Sequence, residues 1–286
     1  MSLVPGLGRP ALDFGLRQEA TAFFGFAARQ STLVKRYWAW EVLWLFYSLV
    51  SVLSIGYLAS GLGRGVLGGT AFHRTQLYLL VGSLIWSYLS SVFFDVSFAI
   101  SWERWEGTIE YTFMAPVRRV THLLGICLFA IVYGLIRSAI VLAFAIPLFN
   151  LDLSRSDLLG AAAVLGAATL PLVGIGILAA VLPLLSPEKG DQMAMAIQGF
   201  LLLVSGVYYP LTVLPWPLQA AGYLSPLTYT LAGIRDCLLD GRSLAAELPT
   251  IGLLTLMGIV LIPTGLAVFA WAERRAKRLG LLKRSG

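Results

Sequence analysis

Segment 101–119 has the residue types and spacing best suited to binding another protein. Its carboxylates recur at steps of three and four residues beside two tryptophans: Glu103, Glu106 and Glu110, with Trp102 and Trp105. A short helix would carry the carboxylates on one face and the indoles on another. Such a helix is suited to docking into a groove of a partner. The alternative is a helix at the membrane interface, with its tryptophans among the lipid headgroups.

Two ionisable residues lie inside apolar segments, where a charge is costly and often functional. Asp95 is about one and a half turns from the end of its segment and could reach the membrane surface. Arg137 lies deeper, nearer the outer side. It could extend its guanidinium to the surface, pair with a carboxylate such as Asp236, or line a transport route. Because their depths differ, we do not expect a direct Asp95–Arg137 pair.

The sequence lacks the motifs of nucleotide binding and hydrolysis. It has no Gly-x-x-x-x-Gly-Lys-Ser/Thr loop, no His-Glu-x-x-His and no Gly-x-Ser-x-Gly. His73 and His122 are far apart, and Cys127 and Cys237 are isolated, so no metal site or disulfide is expected. We expect a chain that is not an enzyme by itself and binds no cofactor or metal. Because ion-coupled transport needs acidic residues within the membrane spans and this chain has few, we expect the energy source to lie outside the chain.

The composition is that of an integral membrane protein. Of the 286 residues, 58% are hydrophobic and only 13% are charged, against roughly 25% charged in an average soluble domain. The apolar residues fall in blocks near the ~20 residues that span a bilayer as a helix. These blocks show no period-2 alternation, so they predict helices and not a β-barrel.

Five apolar blocks predict membrane spans: Glu41–Ser60, Leu77–Ile100, Leu123–Leu148, Leu158–Leu185 and Thr250–Trp271. A sixth region, from Gln192 to Ile234, holds 43 positions without a charge. We expect one crossing at Met193–Val213, then a re-entrant helical hairpin in the outer leaflet at 214–234, because four prolines oppose a continuous helix.

The basic residues set the expected orientation. Most of the 21 Lys and Arg residues fall in segments that lie on one side if the N-terminus is cytoplasmic, in agreement with the positive-inside rule. This rule favours six spans with both termini inside. Topology therefore accounts for the net charge of +6, and nucleic acid is not an expected partner.

The chain is expected to have three parts. Residues 1–40 are a cytoplasmic N-terminus whose segment Leu16–Tyr37 has apolar and basic residues on opposite sides of a helix. This pattern predicts a helix lying on membrane lipids; a helix packed on a partner protein is the alternative. Residues 41–272 form the transmembrane domain, and residues 273–286 form a basic cytoplasmic tail.

Two motifs resemble a known family, the type-2 ABC exporter permeases. The first is Glu103-Arg-x-x-Gly107-Thr-x-Glu110, followed by Pro116. The second comprises the run 205–215, then Pro226-Leu-Thr-Tyr229 and Gly233-Ile-Arg235, and resembles the signature that follows the fifth span in that family. The order and spacing of the motifs and the six-span layout agree with the family over most of the chain.

The resemblance implies a subunit in the cytoplasmic (inner) membrane that pairs with a second copy or a sister permease. Two separate ATPase subunits, which bind ATP and Mg²⁺, would drive export. It implies an ATPase-coupling interface formed by one helix over about Ser101–Thr112 and by the loop after the fourth span: Trp102, Glu103, Arg104, Trp105, Glu106, Gly107, Thr108, Glu110, Glu188 and Lys189. The exit of the pathway would involve Tyr208, Tyr209, Pro210, Trp216 and Tyr229, with Arg137 as a further pathway candidate.

Three questions stay open at the level of sequence. The substrate could be an amphiphilic drug, a lipid or a lipid-linked polysaccharide. The loop 186–192 could be only the stop and restart of a helix, with Ser186 as N-cap and Pro187 at the first helical position. An ion-coupled carrier that uses Asp95, or a membrane-embedded enzyme or scaffold, are the competing classes of function.

Overall fold

The structure, a computed structural model, describes residues 16–66, 69–115, 117–149 and 156–282. These residues form no β-strand. They form one 3₁₀-helix (Leu211–Val213) and eleven α-helices: α1 Leu16–Arg36, α2 Trp38–Val66, α3 Gly69–Ser97, α4 Ala99–Trp105, α5 Ile109–Met114, α6 Arg119–Phe149, α7 Leu158–Leu185, α8 Gly190–Val204, α9 Trp216–Leu224, α10 Pro226–Leu239 and α11 Leu248–Arg278. The predicted N-terminal extension before Leu16, the motif residue Pro116 and the end of the tail lie outside the described residues.

Five helices of the described chain are long and apolar enough to cross a membrane: Trp38–Gly61 within α2, Arg74–Ser97 within α3, and the whole of α6, α7 and α11. They coincide with the five blocks predicted from sequence. Helices of this kind satisfy every backbone hydrogen bond internally, as lipid requires. The expectation of an all-helical membrane protein is confirmed.

Helix α7 lies at the centre of the bundle. It packs along α11 and also contacts α3, α8 and α10. Glycine permits the close approach of α7 and α11: a Cβ atom added at Gly265 would lie 3.0 Å from the carbonyl oxygen of Gly174. Because lipid supplies little hydrophobic drive, helices in a membrane associate through such close van der Waals packing.

Helix α1 is amphipathic, as predicted, and packs one side against the start of α6. The Glu19 carboxylate accepts a hydrogen bond from the Thr121 hydroxyl and lies 3.4 Å from Arg118 Nε. The backbone of α1 comes so close that a Cβ atom at Gly125 would lie 2.8 Å from the Phe23 carbonyl oxygen. The first turns of α6 are therefore covered by α1.

The predicted sixth crossing at Met193–Val213 is not one continuous helix. Helix α8 ends at Val204, and the chain turns at Gly206, whose φ of 70° is favourable for glycine. Fifteen residues of helix reach only about 22 Å, less than the ~30 Å hydrocarbon core. The region predicted as a re-entrant hairpin forms α9 and α10, joined at Ser225, and α10 continues to Leu239.

Side-chain contacts define the two ends of the bundle. At one end, called here the α1 end, Arg119 at the start of α6 forms an ion pair of 3.0 Å with Glu273 near the end of α11. At the opposite end, Asp157 caps α7 by accepting hydrogen bonds from the backbone N–H groups of Gly160 and Leu244, at 3.0 and 2.6 Å. The end of α10 also lies there, because its Leu238 carbonyl accepts a hydrogen bond from Ser156.

Candidate functional site

The segment predicted to couple to an ATPase forms two short helices at the α1 end. A single helix over Ser101–Thr112 was expected, but α4 ends at Trp105 and α5 begins at Ile109. Gly107 lies between them with a φ of 74°, a left-handed conformation that breaks a helix and suits glycine. The three glutamates therefore do not share one exposed face, and this part of the prediction is wrong.

Glu103 points into the protein and joins three elements. The residue is 1% exposed. Its Oε1 accepts a hydrogen bond from Arg29 Nη1 of α1 at 2.9 Å and lies 2.8 Å from His122 Nε2 of α6. Arg29 Nη2 also donates to Thr108 Oγ1 at 2.7 Å. These residues form a buried link between α1, α4 and α6.

The charges of this link explain the ionisation of its carboxylate. Burial by itself raises the pKa of Glu103, but the hydrogen bond and charge of His122, together with Arg29, outweigh it and hold the pKa below its usual value. Glu103 is therefore an anion at neutral pH, held by partners on two other helices.

Arg104 is the second inward-pointing residue of the segment. It is 3% exposed; its Nη1 donates to the Pro183 carbonyl at 2.8 Å and its Nη2 to the Leu281 carbonyl at 3.1 Å. Burial lowers the pKa of this guanidinium, and nearby Asp191 partly offsets the effect. Arg104 thus joins α4 to the end of α7 and to the chain after α11, and its side chain does not reach the surface.

The opposite side of the segment is exposed and largely apolar. Trp102 and Trp105 are exposed and meet edge to face, with ring centroids 5.5 Å apart. Glu106 is half-buried and Glu110 is exposed. Tyr111 and Met114 are 79% and 82% exposed, although the charge pattern gave no reason to single them out. We call the following set the docking surface: Trp102, Trp105, Glu110, Tyr111 and Met114.

The second predicted contact, Glu188 and Lys189, lies at the same end of the bundle. Both side chains are exposed in the turn between α7 and α8. Ser186 caps the end of α7, and α8 begins only at Gly190, with Lys189 as its N-cap residue. The alternative of a helix restarting at Pro187 is therefore wrong. The Ser101 hydroxyl donates to the Asp191 carboxylate, which brings this turn beside α4.

The predicted exit residues surround the turn after α8. Tyr209 donates its hydroxyl proton to the Leu203 carbonyl and Tyr229 to the Tyr223 carbonyl, at 2.7 and 2.8 Å. The remaining exit candidates differ in exposure: Tyr208 is half-buried, and Pro210 and Trp216 are exposed.

Arg235 holds this turn in place. Its guanidinium donates to the Gly206 carbonyl at 3.0 Å and to the Val207 carbonyl, and its carbon lies 3.5 Å from the centre of the Tyr78 ring. The sequence indicated Arg235 only as the close of a motif. Its position between α3 and the turn depends on contacts with residues that are distant in the sequence, and hydrophobic periodicity does not reveal such contacts.

Replacing Arg235 with methionine is therefore expected to lower the free energy of unfolding by about 2–4 kcal/mol, because two buried carbonyls lose charged donors. Thermal melting of the purified protein, followed by size-exclusion chromatography, measures the change. Arg242→Met is the matched control, since that exposed arginine forms a surface ion pair of 2.8 Å with Asp236 and such pairs contribute about 0–1 kcal/mol. Equal melting temperatures for the two variants would contradict the assignment.

Arg137 bonds to a neighbouring helix and not to the carboxylate considered from sequence. It does not pair with Asp236; its Nη2 donates to Ser48 Oγ of α2 at 3.0 Å. Ser48 lies near the middle of Trp38–Gly61, the part of α2 that is long enough to cross a membrane. Arg137 therefore contacts α2 well inside the bundle.

Asp95 and Arg137 line the same cavity, but no ion pair joins them within the described part of the chain. Across residues 16–66, 69–115, 117–149 and 156–282 there is also no group of three or more His, Cys, Asp or Glu side chains placed to hold a metal ion.

A bundle of membrane-length helices defines a multi-pass membrane protein. The sequence model of the ABC-2 type transporter family matches residues 21–239. This match covers more than half of the chain, and the chain belongs to the ABC-2 type transporter family as a membrane permease. No curated protein matches it. The resemblance seen in the two sequence motifs is confirmed.

Proposed function

We propose that this chain is the transmembrane subunit of an ATP-driven exporter in the cytoplasmic membrane. It moves an amphiphilic or lipid-linked substrate out of the cytoplasm, and separate ATPase subunits, which bind ATP and Mg²⁺, drive it. Its membership of the ABC-2 type transporter family supports the transport role. A second copy of the chain, or a sister permease, completes the pathway.

The two-sided construction of segment 101–119 carries this proposal. Outward, the docking surface presents exposed side chains that are mostly apolar, and of these Trp105 also meets the Tyr37 ring at 5.6 Å. Inward, Glu103 and Arg104 bond to α1, α6 and α7. A displacement of the docking surface is therefore transmitted to several helices through charged hydrogen bonds, as a rigid-body movement requires.

The arrangement of helix ends supports six crossings with both termini on one side. Helix α7 ends at the α1 end, where Pro183 accepts from Arg104. Helix α10 ends at the opposite end, beside Ser156. The chain between them therefore makes one net passage, in which α8 crosses part of the membrane and the α9–α10 hairpin re-enters from the outer side. The basic last turn of α11, with Arg275, Lys277 and Arg278, then lies on the cytoplasmic side.

The test is assembly with an ATPase. The tagged full chain is purified together with the ABC ATPase encoded nearest to it, and ATP hydrolysis is measured after reconstitution. We expect the ATPase to stay bound through size-exclusion chromatography and its hydrolysis rate to change on assembly. An ATPase that elutes alone and hydrolyses ATP at the same rate with and without the chain would overturn the proposal in favour of a carrier or an enzyme.

A further inference from the structure

One cavity of the described chain lies near the α1 end and extends to the docking surface, because Trp102 forms part of its wall. It has a volume of about 730 Å³ and is bounded by α1, α2, α3, α4, α6 and α8. Drug-sized ligands occupy cavities of roughly 300–1,000 Å³. The cavity is therefore large enough for a small amphiphile.

Aromatic rings from several helices line this cavity. Among them are three pairs: Trp40 and Trp44 of α2, Trp86 and Phe94 of α3, and Phe129 and Tyr133 of α6. Trp44 and Phe94 approach each other across the wall, with centroids 5.6 Å apart. Rings from several helices around one space bind organic cations well, because the negative face of each ring attracts positive charge.

Asp95 and Glu41 are two of the four carboxylates that line the same space. Asp95 Oδ2 is buried and has no hydrogen-bond partner. Glu41 accepts one hydrogen bond, from the Tyr133 hydroxyl at 2.6 Å. A buried polar atom without a partner is unusual in a folded protein, and one that faces a cavity is free to contact a ligand.

Two arginines line the cavity, and neither forms an ion pair with Asp95 or Glu41 within the described residues. The Nη2 of Arg137 donates to Ser48, and Arg29 is paired with Glu103. The wall as a whole carries four carboxylates, since Glu106 also lines it, against two guanidinium groups. This balance favours a positively charged ligand.

We propose that this cavity binds a lipophilic cation, an apolar or aromatic body that carries an amine or quaternary ammonium charge, and that such cations are the substrates of the exporter. The ammonium would lie between Asp95 and Glu41, and the apolar body would lie against the rings. The statement about substrate rests on the proposed function. The statement about binding concerns this chain alone.

Two ions of the same shape and opposite charge test the proposal. The purified full chain in a neutral maltoside detergent is titrated with tetraphenylphosphonium and, separately, with tetraphenylborate, and binding is followed by quenching of tryptophan fluorescence. We expect saturable binding of the phosphonium at least about tenfold tighter than that of the borate. Equal binding of the two ions would overturn the proposal.

Charge-neutral variants locate the binding. Asp95→Asn and Glu41→Gln keep the shape of each side chain, and each is expected to weaken phosphonium binding about tenfold or more. Asp240→Asn is the matched control, because this exposed carboxylate pairs with Arg74 at the opposite end, and it should bind as the unmodified chain does. Melting curves verify that each variant is folded. Unchanged binding in both cavity variants would overturn the proposal.

Competition with lysophosphatidylcholine identifies the source of the cation. Displacement of the phosphonium would support a lipid headgroup as the natural ligand, and failure to displace it would support a free amphiphile. The measurement uses no ATPase, so the two proposals fail separately. If the chain assembles with its ATPase but does not discriminate between the two ions, only the proposal of a cation site is refuted. If it discriminates between the ions but assembles with no ATPase, only the proposed exporter function is refuted.

Discussion

Replacing Tyr111 and Met114 together with aspartate is expected to abolish co-purification of the ATPase. Both side chains are about four-fifths exposed on the docking surface, so the change leaves the fold of the chain intact. Two central apolar contacts of an interface commonly carry about 2 kcal/mol each. Their loss, with two acids placed against an apolar partner, weakens binding by roughly several hundred-fold.

A matched variant distinguishes docking from a general effect of acidic charge. Leu279 is 57% exposed near the α1 end, after α11 and outside the docking surface. Leu279→Asp is expected to retain the ATPase at the level of the unmodified chain. A pull-down with graded ATPase concentration measures both affinities, and equal binding of the double aspartate variant and the unmodified chain would contradict the assignment of this surface.

Replacing Glu103 with glutamine is expected to leave ATPase binding intact but to change the rate at which the bound ATPase hydrolyses ATP. The docking surface is unaffected, so the ATPase still binds. The link to Arg29 and His122 loses its anion, and breaking a buried pair of this kind costs about 3–5 kcal/mol. We expect a bound ATPase whose hydrolysis rate differs at least about threefold from that of the unmodified complex, because the change should loosen α1 and α6 from α4.

A double-mutant cycle controls for simple loss of stability. Arg29→Met and Glu103→Gln each remove one partner of the link, and the double variant removes both. Partners in direct contact give non-additive effects of about 0.5–3 kcal/mol, so the double variant should melt at a higher temperature than the sum of the single changes predicts. Additive effects would show that the 2.9 Å contact contributes nothing to the link.

The membrane helices were predictable because their signal is length and apolarity. The blocks around Leu158–Leu185 and Thr250–Trp271 match α7 and α11 closely, since lipid permits little backbone other than helix. The end of α8 was not predictable in this way. Its apolar run continues beyond Val204, and only the positive φ of Gly206, held by Arg235, ends it.

Segment 101–119 shows which contacts the periodicity of a sequence does not predict. The spacing of Glu103 and Glu110 is typical of one helical face, yet one is buried and the other exposed. Gly107 breaks the helix between them, and the basic partners of Glu103 come from residues 74 positions earlier and 19 positions later. A single sequence does not reveal such distant partners.

The cavity beside Arg137 was not anticipated for a related reason. Its wall combines Arg137 of α6 with Asp95 of α3 and Glu41 of α2, which are far apart in the sequence. The periodicity within one helix does not show which faces of separate helices meet.

The central claim is that an ABC ATPase docks on segment 101–119, and photo-crosslinking in native membranes tests it most directly. A benzophenone amino acid is placed at position 111, whose side chain is exposed, and cells are irradiated and the adducts identified by mass spectrometry. We expect an adduct with a protein that carries a nucleotide-binding P-loop, and none when the probe is at position 279. Adducts with lipid alone, while the ATPase is present in the same membranes, would contradict the account.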